Sequence, residues 1–291
     1  LGVKVFTDDG DGVQDDKLMR TAFEYADSLR HLAGGRPVVL AQHCEVSALS
    51  RGGYMHEGEW SSRLGIPAQP AEAEELMVMR DIALARLTGG RIHFQHLSTA
   101  GSVAMVRAAK AAGLPVTAEA TTHHFTLTDA CCAGYDPVYK VHPPLRTDAD
   151  VAAVAEGLAD GTIDAIATDH APHTPQEKER TFADAPPGML GLETAFALAN
   201  THLDLPIEKL AGLMSWQPAA IAGIDDHGGP IAEGAPANLT VVDPATTWTV
   251  AGAAMASRSR NTPYEGMEVR GRVRHTILRG EAVVIDGEAQ R

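Results

Sequence analysis

The sequence predicts an α/β protein built on a parallel sheet, followed by a small antiparallel β module. Three observations carry this. Over residues 1–225, short and nearly continuous apolar runs alternate with longer segments of helical spacing, the pattern of strands buried on both faces by crossover helices. Glycine and proline punctuate those segments where helices start and stop. Over residues 226–291 the pattern changes to short alternating segments separated by turn residues, as in a small antiparallel sheet.

LGVKVF (1–6) reads as the first strand, and a helix follows at about 15–33, where Leu18, Ala22, Ala26 and Leu29 recur at helical spacing. PVVLAQ (37–42) is the second strand. Pro70 opens a helix to about Leu87, stopped by Gly89 and Gly90. RIHFQ (91–95), a helix at about 101–112 ending on Gly113, and PVTAEA (115–120) come next. An irregular stretch containing VYKVHPPLR (138–146) leads to a helix at about 147–159 and a fifth strand, IDAIAT (163–168). A loop of some 20 residues precedes helical patterns at about 191–202 and 206–223. NLTVVDP, TWTV, VRHTILRG and EAVVIDG are the short segments of the final module.

With 291 residues the chain can bury a sizeable core. Its 38 acidic and 24 basic residues leave a net charge of −14, which argues against a nucleic-acid partner. No apolar run approaches the roughly 20 residues that span a bilayer, so no membrane role is expected. Three cysteines, two of them adjacent (Cys131 and Cys132), offer no disulfide framework and point to a reducing, cytoplasmic setting.

The residues placed just beyond the strands are informative. Thr7-Asp8-Asp9-Gly10 comes after the first, His43 after the second, His96 after the third, and Asp169-His170 after IDAIAT. In parallel α/β barrels the loops at the C-terminal strand ends gather on one face, which would bring Asp9, His43, His96 and Asp169 together. A lone strand-end histidine is ordinarily structural. Two on successive strands, with a strand-end aspartate on either side, suit Zn²⁺, which takes N and O ligands. Residues and spacing thus point to a metal-dependent hydrolase in a barrel.

FTDDG, AQHCE, HLSTAGS, TAEATTHHFTLTD, PPLR, ATDHAPH, GLET and SRNTPYEG occur in order along nearly the whole chain. In these motifs the sequence resembles the bacterial class I dihydroorotases of the amidohydrolase superfamily. The resemblance implies a (β/α)8 TIM-barrel metal-dependent hydrolase fold, with strands 4–8 present here, plus part of a small β-sandwich module. It implies the zinc-dependent, reversible cyclisation of N-carbamoyl-L-aspartate to L-dihydroorotate in pyrimidine biosynthesis. Asp9 then matches the carboxylate bridging two zincs, His43 and His96 the ligands of the second zinc, and Asp169 the catalytic acid/base that also touches the first. Lys4 is the rival bridge, because several relatives carry a carboxylated lysine on this strand; the Asp-Asp-Gly downstream favours Asp9. For the substrate, the resemblance implies contacts from His173, Pro187 and Gly188, and from His142.

Two of these positions depart from the family. Pro187 stands where Phe is usual, and His142 replaces the Asn of an N-P-P-L-R motif, which changes the donors and acceptors on offer. His123 and His124 are expected to orient their loop, Cys44 to be packed, Cys131-Cys132 to lie in a surface turn, and Met77 and Met79 to pack. No H-x-H occurs in the chain, although the family carries one on its first barrel strand. The strand count therefore leads us to expect the C-terminal part of a longer protein, competent only when complete. A hydantoinase- or allantoinase-type cyclic amidohydrolase is the first alternative, and a non-catalytic scaffold for aspartate transcarbamoylase the second. The expected partners are the small-molecule substrate, a second copy in a homodimer, and aspartate transcarbamoylase.

Overall fold

The computed structural model describes residues 3–29 and 38–290. Residues 1–2 of the first predicted strand, residues 30–33 of the first predicted helix and Pro37 of the second predicted strand lie outside the described residues.

β1 (Val5–Thr7) is followed by α1 (Asp16–Ser28), which Asp15 caps by accepting a hydrogen bond from the Leu18 amide. α1 buries Met19, Phe23 and Ala26; of the expected face Ala26 is buried, Ala22 and Leu29 are half-buried, and Leu18 is exposed. The larger Met and Phe side chains decide which stripe turns inward, since they remove more apolar surface from water. β2 (Val39–Gln42), α2 (Ser47–Ser50), β3 (Met55–His56), α3 (Glu59–Leu64) and β4 (Ala68–Gln69) come next. β3 and β4 form a two-stranded parallel pair, with His56 opposite Gln69, that sequence reasoning did not find. Two residues per strand carry no readable periodicity.

α4 (Glu72–Thr88) ends on Gly89 in the left-handed conformation, as its glycine stop signal implied. β5 (Arg91–Phe94), α5 (Ala100–Ala111), β6 (Val116–Thr121), α6 (Asp148–Asp160) and β7 (Ala165–Ala167) complete the alternation. Thr99 caps α5, and Thr147 forms a capping box with Asp150 on α6. α7 (Pro175–Lys178) lies in the long loop after β7. α8 (Ala195–His202), α9 (Ile207–Ala211), a π-helical turn (Gly212–Trp216) and α10 (Gln217–Ala222) follow it.

The five longer strands pair in parallel in the order β1-β2-β5-β6-β7. Each is next to its predecessor, as in a barrel wall, so all C-terminal ends face one way. Helices cover one face, where Ile92 and Phe94 of β5 and Val116 and Ala118 of β6 pack against Phe23, Met77, Val78 and Val106. Burying each of these larger side chains stabilises the fold by about 1.5–3 kcal/mol. The other face is polar: His93 bonds Thr117 Oγ1 at 2.9 Å and Glu119 Oε2 at 3.1 Å.

β8 (Leu239–Thr249), β9 (Glu268–Leu278), β10 (Glu281–Ile285) and β11 (Glu288–Ala289) form an antiparallel sheet in the order β11-β10-β9-β8. NLTVVDP and TWTV, expected as separate segments, are one irregular strand whose register shifts between Asp243 and Thr247. The segment 250–267 returns to the parallel part, where Val250 and Tyr264 pack with Leu127, Val141, Leu145 and Met189.

Two minor expectations need correcting. Met77 is buried, but Met79 is 54% exposed, because it points from the opposite side of α4. Cys132 is no surface residue: it packs with Met55 and Phe182, and burial pushes its thiol up to about 12. Cys44 is buried as expected, its thiol raised well above normal by burial. No helix among the described residues is long and apolar enough to cross a membrane.

Candidate metal centre and active site

Asp9 and Asp169 each stand two residues beyond a strand, after β1 and β7, His43 stands directly after β2, and His96 two beyond β5. Around a cavity of about 230 Å³ the fold assembles Asp9, His43, His96, His142, Asp169, Pro187 and Gly188, together with Gly10, Val141 and Ala171. A larger crevice of about 470 Å³, lined by Phe196, Trp248 and Arg272 beside the antiparallel sheet, brings together no comparable cluster of ligating groups.

His43 Nδ1 and His96 Nε2 lie 3.0 Å apart, and Asp9 Oδ1 is 3.5 Å from each. Two ligands at about 2.0–2.1 Å from a tetrahedral zinc stand roughly 3.3 Å apart, close to the observed spacing. The far nitrogens, His43 Nε2 and His96 Nδ1, are buried without a hydrogen bond. Glu45 Oε2 lies 3.6 Å from His43 Nε2, the carboxylate behind the histidine that metal sites commonly use. Sequence reasoning missed Glu45 although it sits in AQHCE.

The electrostatics call for a cation here. Burial alone would lower the His43 imidazolium, but Asp9 and Glu45 more than offset it and raise it to about 9. Hydrogen bonds to His43 and then His96 hold the Asp9 carboxyl well below its usual range. A divalent ion satisfies the same field while leaving both imidazoles neutral, so the residues present fit a metal. Lys4 is not in this cluster. It lies before β1, and its Nζ donates to the Gly223 carbonyl.

Asp169 faces the same cavity, and burial raises its carboxyl above the ordinary value, with Asp9 adding to the rise and His96 opposing it. His96 (φ 33°) and Asp169 (φ 45°) both adopt the left-handed backbone region, which costs non-glycine residues energy and persists only where the surroundings impose it. The restraints are visible. After His96, the Ser98 and Thr99 amides and the Thr99 hydroxyl donate to the buried Glu74 carboxylate at 3.1–3.3 Å, and the Ser98 hydroxyl donates to it as well. After Asp169, the His170 Nδ1 accepts from the Gly191 and Leu192 amides, and Ala171 N donates to Met189 O.

Two glycines permit close approaches. At Gly12 (φ 59°) a Cβ would come within 2.4 Å of the His43 carbonyl oxygen. At Gly188 (φ 125°) it would meet Ala171 Cβ at 2.5 Å. His173 stands behind Gly188 and outside the lining, its Nε2 donating to Pro187 O at 2.8 Å. Asn261 ties these loops together: its Oδ1 accepts from His173 N, and its Nδ2 donates to Ala171 O and Gly188 O. It belongs to the SRNTPYEG segment, where only a turn-forming Asn-Thr-Pro hinted at a role. His123 and His124 are buried; His124 links Thr121 Oγ1 to Pro143 O, and His123 lacks a partner at Nε2.

The model of the amidohydrolase family matches residues 67–283. The chain is 50% identical to a dihydroorotase of Streptomyces coelicolor and 49% to one of Pelotomaculum thermopropionicum, covering 99% and 98% of this chain. It spans 66% of the length of each. Among solved structures it is similar to the D-hydantoinase (dihydropyrimidinase) from Thermus sp., at TM-score 0.83 and 26% identity, over 99% of this chain and 65% of the other. It is likewise similar to the L-hydantoinase from Arthrobacter aurescens, at TM-score 0.82 and 25% identity, over 99% and 65%. These likenesses identify the five parallel strands as part of a (β/α)8 barrel wall, and with a family model matched over most of its length the chain belongs to the amidohydrolase family.

Proposed function

We propose that the full-length protein is a cytoplasmic, zinc-dependent dihydroorotase that interconverts N-carbamoyl-L-aspartate and L-dihydroorotate. The observation that carries this reading is one cavity lined by Asp9, His43, His96 and Asp169 in a chain 50% identical to a dihydroorotase. Asp9, His43 and His96 would hold the metal, and Asp169 lines the same cavity. When bound, zinc supplies a Lewis acid that polarises the reacting carbonyl.

The chain's own groups do the rest. In the ring-opening direction the Asp169 carboxylate takes a proton from the attacking water and delivers it to the departing ring nitrogen. In the ring-closing direction it removes a proton from the carbamoyl nitrogen as that nitrogen attacks the side-chain carboxylate, and delivers it to the oxygen that departs as water. A carboxyl raised by burial suits both transfers, since proton transfer is most effective when the acid and base are closely matched. Val141, His142, Pro187 and Gly188 shape the cavity for the ring, and His173 braces Pro187 against it.

The hydantoinase reading has one observation in its favour, the likeness to hydantoinase structures at 25–26% identity. Assay of the full-length protein on L-dihydroorotate, hydantoin and allantoin separates the two: turnover of dihydroorotate well above the others is expected, and preference for hydantoin overturns the proposal. A scaffold for aspartate transcarbamoylase would have no use for a buried pair of histidines facing a carboxylate. Less than one zinc per chain together with no turnover would support the scaffold instead.

A further inference from the structure

His142 lines the cavity with the ligating groups, and the residue that addresses it comes from a distant part of the chain. Gln69, on β4, is 2% exposed and donates from Nε2 to the Gly53 carbonyl at 3.0 Å. That acceptor identifies the amide nitrogen without ambiguity, because a carbonyl cannot donate. The second hydrogen of the same nitrogen points at His142 Nε2, 3.2 Å away. A donor facing Nε2 requires Nε2 to accept, so the ring proton sits on Nδ1. Nδ1 has no hydrogen-bond partner among the described residues. Burial lowers the imidazolium of His142, with Glu45 opposing, so the ring is neutral and the choice of tautomer is meaningful.

Gln69 is itself held in place. Its backbone carbonyl accepts from the Glu57 amide at 2.9 Å and faces Arg146 Nη1 at 3.4 Å. Arg146, 2% exposed, also reaches His56 Nδ1 and Ser98 Oγ. The backbone that carries the amide facing His142 is therefore pinned by β3 and Arg146, and the amide itself by the Gly53 carbonyl.

We propose that Gln69 is a positioning residue that locks His142 as the Nδ1–H tautomer, so that this wall of the cavity presents a hydrogen-bond donor to a carbonyl or carboxylate oxygen of the substrate. An asparagine at this position can turn either its oxygen or its nitrogen to the ligand; His142 with Gln69 behind it can only donate. The identity of the ring substrate rests on the proposed function, but the tautomer does not.

The test uses the metal-loaded full-length protein labelled with ¹⁵N-histidine. Long-range ¹H–¹⁵N correlation is expected to show His142 protonated at Nδ1, and Gln69→Met to lose that preference. Kinetically, Gln69→Met is expected to raise KM for L-dihydroorotate about tenfold, with kcat within about threefold, as for one lost hydrogen bond. In a His142→Asn background the same change should move KM less than about twofold, because asparagine has no tautomer to set. Protonation at Nε2 in the wild type, an unaltered tautomer in Gln69→Met, or an equal KM penalty in both backgrounds overturns the inference. If the protein turns over no dihydroorotate, the functional reading fails, while the nitrogen shifts still decide the tautomer and the KM arm is run on hydantoin.

Discussion

At the C-terminal ends of the parallel strands, polar groups are buried and hold one another; in the sheet β8–β11 they lie at the surface and hold little. Glu74, Arg146, His43, His96, His123 and His124 are each no more than 3% exposed. Around them the backbone adopts left-handed conformations at His96 and Asp169. The antiparallel sheet has its own charged pair, Arg274 and Asp286 at 2.6 Å, but their side chains are 43% and 63% exposed. Left-handed backbone at His96 is followed by the buried Glu74 network, whereas Arg279 and Asp286 take it in exposed turns of the antiparallel sheet. The antiparallel sheet needs no such network, and its nearby crevice is larger but chemically plainer.

Substitutions in the two regions should therefore differ in kind as well as in size. The largest effect is expected from His96→Ala or Asp169→Asn in the full-length protein. Turnover should fall by about 10²–10⁴ for the proposed proton-transfer residue, and His96→Ala should in addition lose bound zinc by elemental analysis. Wild-type activity in either would remove the cavity from the chemistry altogether.

Glu74→Ala leaves four donors and part of Arg146 without a partner. A loss of about 3–5 kcal/mol in urea unfolding is expected, with weaker metal retention because the loop carrying His96 is released. A loss no greater than that of a surface substitution would show that the network after β5 is dispensable.

Acid should act on the same region. Burial keeps His124 neutral, well below its normal pKa, and burial lowers His123 to about 3. Both folded-state values lie below the unfolded one, so the unfolded chain takes up protons first and stability falls as pH drops below about 6.5. Between pH 7 and 5 the loss is roughly 2 kcal/mol for His123, and His124 acts in the same direction. Gln in place of His123 should flatten that slope in urea melts at the two pH values. The smallest effect belongs to the antiparallel sheet: Arg274→Ala should leave the unfolding midpoint unchanged, since exposed pairs are screened by water and salt.

Much of the scaffold was legible along the chain. Apolar runs marked five parallel strands, and Gly89 and Gly113 marked the ends of α4 and α5 within a residue or two. Those signals are local, because a strand or a helix stop depends on near neighbours. Asp9, His43, His96 and Asp169 stood out because each follows a strand, and parallel topology turns a repeated sequence position into a shared location. What escaped notice was what holds them. Gln69 lies on a strand of two residues, Glu74 looks like one of three acids opening a helix, and Asn261 is 92 residues beyond Asp169. None has a periodicity or a local partner to betray it.

The sequence by itself determined the alternation of strands and helices, the positions of the candidate ligands at strand ends, and the family motifs in order. Only the tertiary structure decided that Asp9 rather than Lys4 meets the two histidines, that Glu74 and Arg146 brace the loop after β5, and that Gln69 sets the face His142 shows the cavity. The physical reason is range. Hydrophobic periodicity is written within a few residues, whereas a hydrogen bond to a buried side chain depends on which distant segments the packed core leaves within about 3 Å of one another.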